Sequence, residues 1–487
     1  MAGTDRGVPI RQLHLPAPPA RVAESLDRLR EELDIPVAFP PAALREAEDA
    51  AARPLPELPD ARDLPLVTID PPGARDLDQA VHLEEDGDGL LVHYAIADVA
   101  SFVTPGGALD AAVHERGVTV YGPTGSTPLH PEVLSAGAAS LLPDEDRPAY
   151  LWRIALDADG AVGEASVRRA LVRSRAQLTY DQVQDVVDGG SDPAVPPTLP
   201  GLLRRVGELR LAQERARGGV SLEIPEQEVV ARDGGYALAF RATLPVEEWN
   251  AQISLLTGIC AAELMRGAGV GILRTLPPAD PRDLARLRRT ARGLGIPWPE
   301  DLSYQDFLPT LDSAVPAHAA FLTEATTLFR GAGYAVLGED DDGDTRHAAI
   351  AAHYAHVTAP LRRLVDRAGL EVCRAVCAGE PVPGWVHDAL PELPRVMART
   401  TQRAGSYERG AVDAVEALVL EGRVGEEFRG VVVEVDEDDD GVRGTVVIAE
   451  PAVEASVRAP ELPLGEQISV RLEEVDVPAR RVRFSPV

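Results

Sequence analysis

The segment Thr68-Ile69-Asp70-Pro71-Pro72-Gly73-Ala74-Arg75-Asp76-Leu77-Asp78-Gln79-Ala80 restricts the fold of this 487-residue chain more than any other stretch. Proline lacks a backbone donor and fixes φ, so Pro71 and Pro72, followed by Gly73, exclude a helix and turn the chain back. The apolar run 66–69 ahead of them reads as a buried strand that Asp70 ends. Beyond the turn, Asp76 and Asp78 are two residues apart, so an extended backbone points both the same way whereas a helix would separate them. Three carboxylates can thus converge just outside a strand end. Such groups repel one another unless a hard cation sits among them, and Mg²⁺ suits one or two carboxylates plus a substrate phosphate. An acidic Pro/Gly loop is more often a solvated turn, so the segment alone does not establish a metal site.

Charge narrows the field. With 78 acidic against 48 basic residues the net charge is −30, which argues against a general nucleic-acid coat because neutralising phosphates needs positive surface. A local basic channel inside an acidic shell remains compatible with that balance, and every one of the basic residues is arginine. No apolar run approaches membrane-spanning length and no secretory or transit pattern opens the chain, so a soluble cytoplasmic protein with no membrane association is expected. Cys260, Cys373 and Cys377 lie in apolar helical patterns, as inert core cysteines do in a reducing compartment.

Along the chain, residues 22–33 and 41–52 have helical apolar spacing, the second with Pro41 at its first turn. Gly87-Asp88-Gly89 marks a hairpin turn, and 93–103 reads as a strand running into a turn where Asp98 either caps the following amides or supports the acidic loop. A helix over 108–116 ends at Gly117, and Val118 to Tyr121 form a strand. Thr179 and Gln182 make a capping-box pattern at the start of a helix carrying Tyr180. Further helices are expected over 202–216, 246–265, 281–294, 304–313, 317–329 and 394–420. In Tyr354-Ala355-His356-Val357-Thr358-Ala359-Pro360-Leu361-Arg362-Arg363, Pro360 suits a first helical turn whose free N–H groups attract anions. Arg362 and Arg363 would add planar guanidinium groups that grip phosphate, or else sit in salt bridges on an acidic protein. From 422 onward short strands punctuated by Gly441, Pro463, Gly465 and Pro478 have OB-barrel spacing.

The acidic segment resembles the catalytic signature of the ribonuclease II / ribonuclease R exoribonucleases, T-I-D, a short loop, then D-x-D-D-A. The resemblance runs from about residue 60 to 487, through the Thr179-Tyr180-Asp181 stretch and the T-x-P-x-R-R motif at Thr358 to Arg363. It implies an α+β chain: an RNB catalytic domain of mixed sheet and helices (61–390), a helical connector (391–421) and an S1-type OB-fold barrel (422–487). Ahead of these, residues 1–60 read as a helical N-terminal segment that lacks the short strands and stacking aromatics of the family's cold-shock domains. It carries over three of the family's four metal-site aspartates as Asp70, Asp76 and Asp78, with the neutral Gln79 at the fourth place. It implies one or two Mg²⁺ ions, phosphate contact by Arg362 and Arg363, base stacking by Tyr121 and Tyr180, and no organic cofactor. A family Glu-Glu pair corresponds here to Ala251 and Gln252, which therefore carry no assigned role. The activity implied is processive hydrolysis of single-stranded RNA from the 3′ end to nucleoside 5′-monophosphates by a monomer. Gln79 sets a rival beside it: a catalytically weakened or inactive RNA-binding protein on the same fold.

Overall fold

The computed structural model describes residues 15, 18–222, 226–232, 235–241, 243–312, 315–338, 345–438 and 441–487. β1 (Thr68–Asp70) runs into the proline turn, where the Ala74 amide returns to the Pro71 carbonyl at 3.2 Å. Pro72 and Gly73 are its central residues, and Gly73 has φ +79°, the left-handed value a type II turn requires at that position. β2 (Gln79–Asp86) follows, then a tight turn with Gly87 at φ +60°, then β3 (Gly89–Ala97). A short hairpin, β4 (Val120–Gly122) and β5 (Gly125–Thr127), precedes the long β6 (Asp146–Leu156), β7 (Val162–Arg173) and the short β8 (Gln177–Thr179).

β2, β3, β6 and β7 form an antiparallel sheet in that order, while β1 pairs in parallel with β8, Asp70 opposite Thr179. Thr179 then caps the helix Tyr180–Val187 through the reciprocal capping box with Gln182. The sheet packs on buried helices, Pro245–Ala268 and Leu364–Ala378 foremost, and Trp152, Tyr94 and Tyr150 fill the large core between them.

The N-terminal helices divide between two cores. Pro41–Ala52 buries Ala43, Ala47 and Ala50 in the large core. Ala20–Glu32 instead packs Val22 and Leu26 against the end of the connector helix, Leu393–Leu420, and against the C-terminal barrel. That barrel is closed, with strands in the order Glu427–Asp438, Gly441–Ile448, Val453–Ala459, Arg481–Pro486, Gln467–Asp476. Its third strand was not expected from the sequence, and part of the acidic 434–440 run lies outside the described residues.

Two helix expectations are corrected. The one begun at Tyr304 is a single turn, Tyr304–Phe307, followed by a 3₁₀ turn. The one expected at Pro360 starts at Leu364 with Arg363 as its N-cap. Among the described residues no helix is long and apolar enough to cross a membrane.

Candidate active site

A cavity of about 460 Å³ opens at the end of β1, walled by the proline turn, the β4–β5 hairpin, the 358–363 turn and the connector helix. Asp70, Asp76, Asp78, Gln79, Tyr121 and Arg362 all line it. Asp78 is 3% exposed; its Oδ1 accepts the Leu361 amide at 2.8 Å and its Oδ2 lies 3.3 Å from Arg362 Nε. Asp76 Oδ2 accepts the Tyr121 hydroxyl at 2.9 Å. The Gln79 side-chain amide donates to the Thr358 carbonyl. The proline turn therefore delivers two carboxylates to one cavity, as their two-residue spacing predicts.

The 358–363 turn is fastened on several sides. The Thr119 amide reaches the Arg362 carbonyl at 3.0 Å, and a ring nitrogen of buried His130 lies 3.1 Å from the Leu361 carbonyl. The Ala359 amide donates to Asp366 Oδ1 at 2.7 Å. The Leu364 amide, which a helix begun at Pro360 would direct to the Pro360 carbonyl, instead reaches the Gly117 carbonyl at 2.9 Å, and the helix starts only there. Arg363 turns away from the cavity and holds Asp366 through Nε and Nη2 at 3.0 and 2.9 Å.

The cavity is short of positive charge. Burial pushes the Asp78 carboxyl up to about 8, with Arg362 opposing that shift and Asp76 adding to it. Burial also raises Asp70, against the pull of Arg362. Asp70 Oδ2 is buried with no hydrogen-bond partner, a costly state for a carboxylate oxygen. Hard oxygen donors around an electron-rich cavity fit a divalent cation of the Mg²⁺ type. Among the described residues no three acidic, His or Cys side chains are grouped to hold a metal ion, which corrects the expected convergence of three carboxylates; a Mg²⁺-type site here needs one or two of them plus a substrate phosphate.

Tyr121 reaches the cavity because Gly122 lets the hairpin lie against the connector helix, where a Cβ would meet the Tyr407 ring at 2.7 Å. Tyr180, 6% exposed, keeps its ring in the core near Asn250 and is not among the cavity-lining residues. Asp98 caps Ser101, whose amide lies at 3.1 Å, and pairs with Arg169 at 2.9 Å. Sequence reasoning missed Glu408, a cavity wall residue on the connector helix whose carboxyl burial raises to about 6.

An RNB domain model matches residues 59–371, and an RNase II-type exonuclease C-terminal S1 domain model matches residues 426–487. The chain belongs to the RNB-domain family. It is 28% identical over 503 residues to Ribonuclease R of Aquifex aeolicus, covering 94% of this chain and 70% of the relative. Against Ribonuclease R of Escherichia coli it is 27% identical over 477 residues, covering 88% of this chain and 57% of the relative, so it spans little over half of that protein. Among solved structures it resembles Mycoplasma genitalium RNase R in complex with ribose-methylated single-stranded RNA. The TM-score is 0.85 at 19% identity, over 96% of this chain and 78% of that one.

Proposed function

We propose that the chain is a 3′–5′ exoribonuclease that degrades single-stranded RNA to nucleoside 5′-monophosphates, acting in the cytoplasm as a monomer with Mg²⁺ and no organic cofactor. The observation that carries this reading is the buried, unpartnered Asp70 Oδ2 in the cavity that also holds the Asp78–Arg362 pair. RNB-family membership and relatives named Ribonuclease R support it.

Asp70, Asp76 and Asp78 would hold one or two Mg²⁺ ions; when bound, these supply Lewis-acid stabilisation of the phosphate and activation of the attacking water. Arg362, half-surrounded by acid and anchored on its turn, neutralises charge developing on the scissile phosphate. Tyr121 offers an aromatic face beside the aspartates for the last base, its hydroxyl steadying Asp76. Tyr180 and Arg363 act at one remove, Tyr180 by packing in the core beside Asn250 and Arg363 by locking the turn that carries Arg362.

Chromatography of the soluble products tests this reading. Nucleoside 5′-monophosphates released from RNA in Mg²⁺ and absent in EDTA are expected; 3′-phosphates, or internal fragments as the first products, would refute it. The RNA-binding alternative draws on Gln79, whose amide is already engaged by Thr358 and adds no charge to the cavity. RNA retained with no mononucleotide released would favour it.

A further inference from the structure

Residues 358–363 form the turn that carries Arg362 into the cavity, and two adjacent residues hold it from the sheet side. Asp78 Oδ1 accepts from the Leu361 amide at 2.8 Å, and the Gln79 side-chain amide donates to the Thr358 carbonyl. The turn thus presents one donor and one acceptor to neighbouring positions of the same strand end. An ionised carboxylate is acceptor-only and satisfies the first of these but not the second. A carboxylate at position 79 would set a charged oxygen against the Thr358 carbonyl oxygen unless a cation lay between them. An amide removes that need.

We propose that Gln79 is a positioning residue: it tethers the Arg362 turn to the sheet without a cation, leaving cation binding to Asp70, Asp76 and Asp78. The support on which it acts is rigid. Gln79 pairs with Ile96 in the β2–β3 ladder, and the Ala97 amide reaches the Asp78 carbonyl at 2.9 Å. The far end of the turn is equally fixed by Arg363 on Asp366. The Thr358 hydroxyl has no hydrogen-bond partner, so the residue is held through its carbonyl rather than its side chain. The inference rests on the exonuclease reading for what Arg362 does, and not for the tether itself.

The test compares thermal unfolding of the wild type, Gln79→Glu and Gln79→Met, each in EDTA and in Mg²⁺. Both replacements are close to glutamine in length; neither donates. In EDTA, Gln79→Glu is expected to unfold ~2–5 °C below the wild type, and Mg²⁺ is expected to restore most of that loss. Gln79→Met should be lowered in both media, because it can bind no ion. On RNA, Gln79→Met should lower kcat about tenfold with KM within twofold, since Arg362 serves the chemical step.

Three results would overturn the proposal: Gln79→Glu as stable as the wild type in EDTA, the same Mg²⁺ shift in Gln79→Glu as in the wild type, or an unchanged kcat in Gln79→Met. Should Gln79→Glu fail to fold, Gln79→Met decides, an unaltered midpoint counting against the tether. The unfolding arms use no RNA, so a wild type that cleaves nothing sinks the exonuclease reading and leaves them valid.

Discussion

The Leu361 amide donates to Asp78 Oδ1 at 2.8 Å, joining residues 283 positions apart. That bond makes one unit of two motifs that are separate in sequence, the acidic loop and the arginine turn. Its partner contact, Asp78 Oδ2 to Arg362 Nε at 3.3 Å, puts a guanidinium beside a carboxylate whose ionisation burial opposes.

Metal-free stability should depend on pH through Asp78. Its carboxyl titrates near 4 in the unfolded chain and near 8 in the folded one, so the folded state binds the extra proton between those values. Its contribution is therefore fully present below about pH 4 and is lost as pH rises towards 8. Asn resembles the protonated acid and lacks this dependence. In EDTA, urea midpoints of wild type and Asp78→Asn should diverge between pH 5.5 and 8, the wild type losing on the order of 1–3 kcal/mol relative to the variant. Parallel curves would contradict the burial of this group.

The two adjacent arginines should fail in different ways. Arg363→Ala leaves Asp366 buried without its main counter-charge, which costs roughly 3–5 kcal/mol of stability. Arg362→Ala also removes a counter-charge, that of Asp78, but burial holds this carboxyl protonated near neutral pH, so the stability loss should be smaller and kcat should fall at least tenfold. Denaturant unfolding beside single-turnover cleavage separates the two effects.

His130 should weaken the protein in acid. It is buried, and burial lowers its ring to about 4 against 6.5 in the unfolded chain. Between those values the unfolded state binds the additional proton, so stability falls as pH drops from about 6.5 to 4. His130→Gln removes that term. The wild type should lose up to about 3 kcal/mol relative to it across this window, measured as the difference between their urea curves.

Tyr121 has a separable ring and hydroxyl. Tyr121→Phe keeps the stacking face and loses the bond to Asp76, so RNA affinity should change little. Tyr121→Ala should weaken binding by roughly 1–3 kcal/mol. Fluorescence anisotropy with a short single-stranded RNA in EDTA reads both.

Much of this was legible where local chemistry decides the backbone. The capping box at Thr179, Gly117 ending its helix, and the proline turn with its two carboxylates all follow from neighbouring residues. The reading failed where a distant group intervened. Thr-Ala-Pro-Leu-Arg-Arg suits a helix start, but the distant Gly117 carbonyl takes the Leu364 amide at 2.9 Å and the helix begins only at Leu364. The spacing around Arg363 admits a phosphate contact or a salt bridge, and in the structure it holds Asp366, three residues on. Glu408 resembles any exposed helix position until the hairpin, packed by way of Gly122 on Tyr407, makes its helix a cavity wall.

The central claim is tested most directly by a time course on 5′-labelled single-stranded RNA in Mg²⁺, wild type beside Asp78→Asn. A ladder shortening from the 3′ end with the wild type, and at least 100-fold slower with Asp78→Asn, is the predicted result. RNA left intact by the wild type, or the same ladder from both proteins, would contradict it.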